Sequence, residues 1–380
     1  MDFEENLEQG QLRSAVEQFM RRECPAQKVR QWDRDGTFPE ECYRGMVDAG
    51  FVAMVMPQAY GGLGSPMSDC IVLYEELARS SVDFATRIAL QAWGALMLDE
   101  FASEELKSEF LPAVLEGERK LSFSLTEPQS GSDAAALAAT ASLDRDEWVL
   151  RGQKLFSSGA DAAGNAMIVA VRTSKEDDRH KGISLLVVPN DAPGVSVRRL
   201  DVIGRRVLGL CEVFFEDARV PARYLVGEAG SGWKYINRHL ERERITLAAN
   251  YLGSARSAVD DAVAYARERR QFNRSIGQFQ AIAHMLADMA TELEAGRWLT
   301  RMAAWRYDKG LPCRKEASMA KLFVSEMLQR VTAGGMQVLG GHAYTHDHDM
   351  QRYWRDGRNA TVGGGTSQIQ RQLISRELGL

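Results

Sequence analysis

Apolar residues first fall at helical spacing. Leu12, Ala15, Val16, Phe19 and Met20 line one face between residues 7 and 24, and Pro25 ends the pattern. A second helix is expected over residues 39–49, stopped by Gly50, after which an apolar stretch runs into Tyr60-Gly61-Gly62-Leu63-Gly64. Ser68 or Asp69 is placed to cap a helix reaching Ala78, and helical periodicity resumes over residues 81–117. Residues 1–118 therefore read as an N-terminal α-helical domain.

From residue 119 the period shortens. β-rich runs at 138–143, 148–152, 154–158, 166–172, 183–189, 195–200 and 211–216 are separated by turn formers, which predicts a middle β domain, a barrel or sandwich, over 119–225. Helical periodicity returns over 235–269, 280–309 and 314–338, so residues 226–380 read as a C-terminal α-helical domain. The fold class is multidomain α+β, with the β domain between two helical ones.

Composition adds exclusions. With 45% hydrophobic and 26% charged residues, the chain can build a core in each region. A formal net charge of -5 and the lack of a basic stripe argue against a nucleic-acid partner. Neither a basic-then-apolar N terminus nor a run of about 18 apolar residues is present, so no signal peptide or membrane span is expected and the protein is placed in the cytoplasm. Cys24, Cys42, Cys70, Cys211 and Cys313 are scattered without a Cys-x-x-Cys pair and are expected as reduced thiols. His342, His346 and His348 cluster but lack zinc spacing, so no metal is assigned.

Two stretches carry candidate chemistry. Residues 123–133, Phe-Ser-Leu-Thr-Glu-Pro-Gln-Ser-Gly-Ser-Asp, pass from strand alternation into turn formers, leaving hydroxyls and free N–H groups at a strand end. That is either an ordinary turn or a cradle for a flat polar ligand or an anion. Arg87, among Phe84, Ala85, Leu90 and Gln91, needs a partner or a route to the surface.

Four segments in order resemble the flavin-dependent acyl-CoA dehydrogenase family. Residues 125–133 resemble its Thr-Glu-Pro-Gly-Ala-Gly-Ser-Asp loop, departing at Gln129 and Ser130. Arg269-Arg270-Gln271-Phe272, with Ile276 and Phe279-Gln280, resembles its Arg-x-x-Phe-Gly segment, with Asn273 in place of glycine. Residues 337–341 and 365–370 resemble the two C-terminal signatures. The resemblance covers essentially the whole chain. It implies a C-terminal four-helix bundle and a homotetramer or homodimer with FAD between the β domain and the C-terminal helices. Phe123, Leu125 and Thr126 are then expected to bind the FAD, with Thr126 at the isoalloxazine edge, Ser158 near its N5, and Phe156 where the family usually has a stacking tryptophan. Ser132 is expected along the CoA-side wall, touching cofactor and substrate. Arg269 and Phe272 belong to the segment that reaches the FAD of an adjacent subunit, where the arginine meets the pyrophosphate. Gln337, Gly341, Thr366 and Gln368 are expected along the adenosine diphosphate.

The implied reaction needs a base for the α-proton of an acyl-CoA substrate. Most members carry it in a Tyr-Glu-Gly-Thr segment, but the chain reads Gly363-Gly364-Gly365-Thr366 there. Isovaleryl-CoA dehydrogenase-like members instead carry a helical Leu-x-x-Glu-Arg, which Leu240-Glu241-Arg242-Glu243-Arg244 matches. Glu243 is thus the expected base, Gly364 leaves it room beside the substrate, Arg244 joins the substrate site, and Glu241 pairs with Arg244 on the surface. Arg87 resembles an arginine that meets the distal carboxylate in glutaryl-CoA dehydrogenase, which implies an anionic acyl end, with a short or branched uncharged acyl group as the alternative. The expected activity is dehydrogenation of a short acyl-CoA to the trans-2-enoyl-CoA, with electrons passing to an electron-transferring flavoprotein. Nonoxidative elimination such as desulfination, enoyl-CoA reduction, and a noncatalytic flavin- or CoA-binding protein are the alternatives.

Overall fold

The computed structural model describes residues 4–380. α1 (Leu7–Glu23) opens with a reciprocal cap, in which the Asn6 side chain accepts from Gln9 N–H and the Gln9 side chain accepts from Asn6 N–H. α2 (Ala26–Asp35), α3 (Glu40–Asp48), α4 (Phe51–Val55), α5 (Met67–Ser80), α6 (Val82–Phe101) and α7 (Glu104–Leu115) follow. The sequence pattern misses α2 because only Val29 and Asp33 are buried on it, too thin a stripe to register as a period. Nor is α5 capped by Ser68 or Asp69. The Asp308 carboxylate, far along the chain, accepts from Met67 N–H and Ser68 N–H instead.

β1 (Lys120–Ser124), β2 (Thr140–Asp144), β3 (Glu147–Ser158), β4 (Asn165–Arg172), β5 (Ile183–Pro189), β6 (Val195–Arg199), β7 (Leu210–Pro221) and β8 (Leu225–Val226) form one sheet. Its order is β6-β7-β3-β2-β4-β5-β8, with β1 parallel to β4. Two expected strands, 148–152 and 154–158, are one. Gly152, at φ +127°, lets β3 pass over Ala139, whose Cα would lie 2.8 Å from a Cβ, so the glycine bends the strand without ending it.

α8 (Gly232–Glu268) leads through a small hairpin, β9 (Arg270–Gln271) and β10 (Arg274–Ser275), to α9 (Gln280–Asp308), α10 (Arg314–Leu339), α11 (Met350–Arg358) and α12 (Ser367–Glu377). α8 packs against α9, α10 and, from the N-terminal region, α5 and α6. One apolar core therefore runs through all three regions. Charged groups bridge them as well. Arg205, between β6 and β7, donates from Nε to Asp83 of α6 (2.5 Å), from Nη2 to Thr86 Oγ1 (2.8 Å), and from its backbone N–H to Asp356 of α11 (2.6 Å).

The expectation of five reduced thiols needs correction. Cys24 and Cys42 are joined as a disulfide, because the end of α1 lies beside α3, while Cys70, Cys211 and Cys313 are free and buried. Among the described residues, no helix is long and apolar enough to cross a membrane.

Candidate active site

A cavity of about 500 Å³ lies where α6, the loop after β1, the end of β3, α8 and the segment 359–366 converge. β1 brings Phe123 to its wall, where the ring centroid stands 4.2 Å from that of Trp93 on α6. The loop that follows is held from beneath. Buried Glu127 accepts from Ala138 N–H (2.6 Å), Ala139 N–H (3.0 Å) and Lys154 Nζ (2.6 Å), and Lys154 also donates to Leu125 O (3.2 Å). Burial raises the Glu127 carboxyl, but Lys154 and the two N–H groups more than offset it and hold it below the usual range. Burial brings the Lys154 ammonium down to about 8. Leu155 N–H donates to Thr126 O (2.8 Å), so Thr126 is fixed to β3 and faces the cavity with Ser132, Phe156 and Ser158. Phe156 sits at φ +59°, a left-handed conformation that is uncommon for a bulky residue and turns its ring outward at the cavity.

Opposite this wall, α8 presents Arg242, Glu243, Thr246, Leu247, Asn250 and Tyr251. The Glu243 carboxylate lies beside the glycine segment, its Oε1 3.9 Å from where a Cβ on Gly364 would be. Enclosure by protein raises its pKa, and the nearby Arg244 and Lys321 cations oppose that rise. Lys321 of α10 is fully buried and donates to Ala360 O (3.0 Å) and Gly365 O (2.6 Å), pinning the glycine segment in front of Glu243. Burial lowers its pKa to about 8. Thr366 caps α12 through Oγ1, which accepts from Ile369 N–H (3.2 Å), and also lines the cavity.

The structure thus gathers Phe123, Thr126, Ser132, Phe156, Ser158, Glu243, Gly364 and Thr366 around one space. Leu125 lies half-buried outside it, and Arg269, Phe272, Gln337, Gly341 and Gln368 are exposed away from it. Two of the expected substrate-site residues lie outside the lining. Arg87 does not line the cavity: its guanidinium lies over the Phe38 ring (5.1 Å), and Nη2 donates to Gly159 O (3.4 Å) behind Ser158. The helical turn that points Thr86, Leu90 and Trp93 into the cavity carries position 87 to an adjacent face. Arg244 likewise is buried on α8 outside the lining, so it reaches the site only through its charge on Glu243. Glu241 approaches Arg314 (3.6 Å) and accepts from Cys313 Sγ (3.4 Å), in place of the expected Arg244 pair.

Sequence reading missed Lys321, Arg205, Asn250 and Tyr251. A lysine or an asparagine on a helix carries no local mark of burial, and only packing of α8 against α10 and α6 reveals it. The donors suit a flat polar ring. Hydroxyls of Thr126, Ser132 and Ser158 share a wall with the Phe156 face, and the buried Trp93 Nε1 has no protein partner among the described residues. These residues fit an isoalloxazine with an acyl chain alongside.

Comparison with known proteins gives matches along the chain. Residues 6–118 match the family model described as acyl-CoA dehydrogenase, N-terminal domain; residues 122–218 match the middle domain; residues 230–379 match the C-terminal domain. The chain is 37% identical over 383 residues to the probable acyl-CoA dehydrogenase YngJ of Bacillus subtilis, covering all of both chains. It is 34% identical to the caffeyl-CoA reductase-Etf complex subunit CarC of Acetobacterium woodii, over 96% of each. The solved structure of butyryl-CoA dehydrogenase from Megasphaera elsdenii superposes with a TM-score of 0.94 at 30% identity, over 100% of both chains.

Proposed function

Since the chain belongs to the acyl-CoA dehydrogenase family, FAD-binding oxidoreductases that act on CH–CH groups, we propose that it oxidises a short acyl-CoA with Glu243 as the base. The observation that carries this is the Glu243 carboxylate lining the cavity beside three glycines, its Oε1 3.9 Å from where a Cβ on Gly364 would be. Glu243 takes the α-proton of the thioester. Its raised pKa strengthens it as a base, while Arg244 and Lys321 keep the carboxylate form accessible. FAD, when bound, supplies the hydride acceptor for the β-carbon. Thr126, Ser158 and Phe156 would hold its ring, with Phe123, Ser132 and Thr366 bordering it. Arg269, Phe272, Gln337, Gly341 and Gln368 would meet the dinucleotide half in a second copy of a homodimer or homotetramer, a reading supported by their exposure.

The lining reaches along α8 as far as Asn250 and Tyr251, about 10 Å beyond Glu243, which supports a short acyl group. An anionic end bound by Arg87 is not carried forward, because that guanidinium is outside the cavity. An electron-transferring flavoprotein is the proposed electron partner, supported by the Etf complex named for the Acetobacterium woodii relative. The same relative, named a reductase, favours a second reading, reduction of the enoyl-CoA by the same site.

Anaerobic titration of the Glu243→Gln holoenzyme with butyryl-CoA tests the base. Flavin bleaching is expected to slow by about 10²–10⁴-fold with FAD content unchanged, and undiminished bleaching removes Glu243 from the chemistry. Turnover without an electron acceptor would instead indicate elimination, and a yellow protein inert to every thioester would indicate a noncatalytic one.

A further inference from the structure

Asn250 is fully buried, and both of its amide atoms, Nδ2 and Oδ1, lack a protein partner among the described residues. It lines the cavity on the face of α8 that also carries Glu243, Thr246 and Leu247, two turns or about 10 Å past the base. Two polar groups of the same lining are already engaged. Arg205 is bonded to Asp83 and Thr86, and Thr86 Oγ1 donates to Val82 O (2.8 Å). Leaving a buried amide unpaired is costly, so such a group is normally met by water or ligand.

We propose that Asn250 recognises the acyl end of the substrate, and that this end bears a neutral group that both donates and accepts a hydrogen bond, a hydroxyl or a carboxamide. The inference rests on the acyl-CoA reading above and adds the class of acyl group. Charge argues for neutrality. The Arg205 cation at this end of the cavity is matched by Asp83, with Asp356 on its backbone N–H, so Arg205 does not call for a carboxylate on the substrate. Chemistry argues for polarity. A hydrocarbon tail would expel any water from the Asn250 amide and leave both atoms unpaired, whereas a hydroxyl replaces it, donating to Oδ1 and accepting from Nδ2. Tyr251, adjacent on the same lining, brings a phenol to that end of the cavity.

The test compares ω-hydroxyacyl-CoA thioesters of about four to six carbons with their hydrocarbon and dicarboxylic counterparts, reading kcat/KM of the holoenzyme with ferrocenium as acceptor. At the length that reaches Asn250, the wild type is expected to prefer the hydroxyl over the hydrocarbon by about ten- to a hundredfold and to turn over the dicarboxylic thioester less well than the hydroxyl. Asn250→Leu, or Asn250→Ala if the larger residue impairs FAD retention, is expected to remove that preference, lowering kcat/KM for the hydroxyl thioester relative to the hydrocarbon. A wild type that prefers hydrocarbon or carboxylate at every length overturns the inference, as does a variant that slows all substrates equally. Absence of turnover with every thioester overturns the dehydrogenase reading itself, and the polar acyl end with it.

Discussion

Lys321 Nζ is committed to two carbonyls, Ala360 O and Gly365 O, and its charge also bears on Glu243. Burial raises the Glu243 carboxyl and the lysine opposes that, so Lys321→Met should raise it further. The acid limb of the kcat/KM–pH profile should therefore move toward neutrality, while Lys321→Arg, which keeps the cation, should leave it nearer the wild-type position. An acid limb that stays in place in Lys321→Met would show that the two groups are not coupled. Glu243 was legible in the sequence because it belongs to a run, Leu240 to Arg244, whose order carries a resemblance. Lys321 was not, since its importance comes from meeting a loop some forty residues later. Arg87 shows the opposite limit: the residue matched, but the phase of α6 turns it behind Ser158.

At the scale of elements, the site depends on α8 and the glycine segment lying close together. Gly364 has φ +62°, and a Cβ there would overlap Leu247 Cδ1 on α8. Gly364→Ala is expected to cost about 1–3 kcal/mol in stability, measured by thermal unfolding, and to lower kcat by pushing the loop away from Glu243. Adding Leu247→Ala should recover part of the stability lost, and a strictly additive double variant would contradict the overlap. The long helices were readable because their apolar stripes repeat over many turns, as α8, α9 and α10 do. Elements fixed by distant partners were not. Asp308 caps α5, and Gly152 keeps β3 continuous where composition suggested two strands.

Across the whole molecule, Asp83, Arg205 and Asp356 link α6, the sheet and α11 at the cavity wall. Asp83→Asn would leave the buried Arg205 cation without its matching charge and should destabilise the protein by about 3–5 kcal/mol, lowering Tm by several degrees. An unchanged Tm would mean that this bridge contributes nothing to joining the regions. Three regions in the order helix, sheet, helix were visible in the shift of hydrophobic period, but that they share one core and enclose one cavity was not. The central claim is that proton abstraction belongs to α8 and not to the glycine segment. Exchange of the α-hydrogens of butyryl-CoA in D2O, followed by proton NMR under anaerobic conditions, tests it without requiring net oxidation. The wild-type holoenzyme should catalyse exchange and Glu243→Gln should be slower by about a hundredfold or more with FAD retained, whereas equal exchange by both proteins would place the base elsewhere.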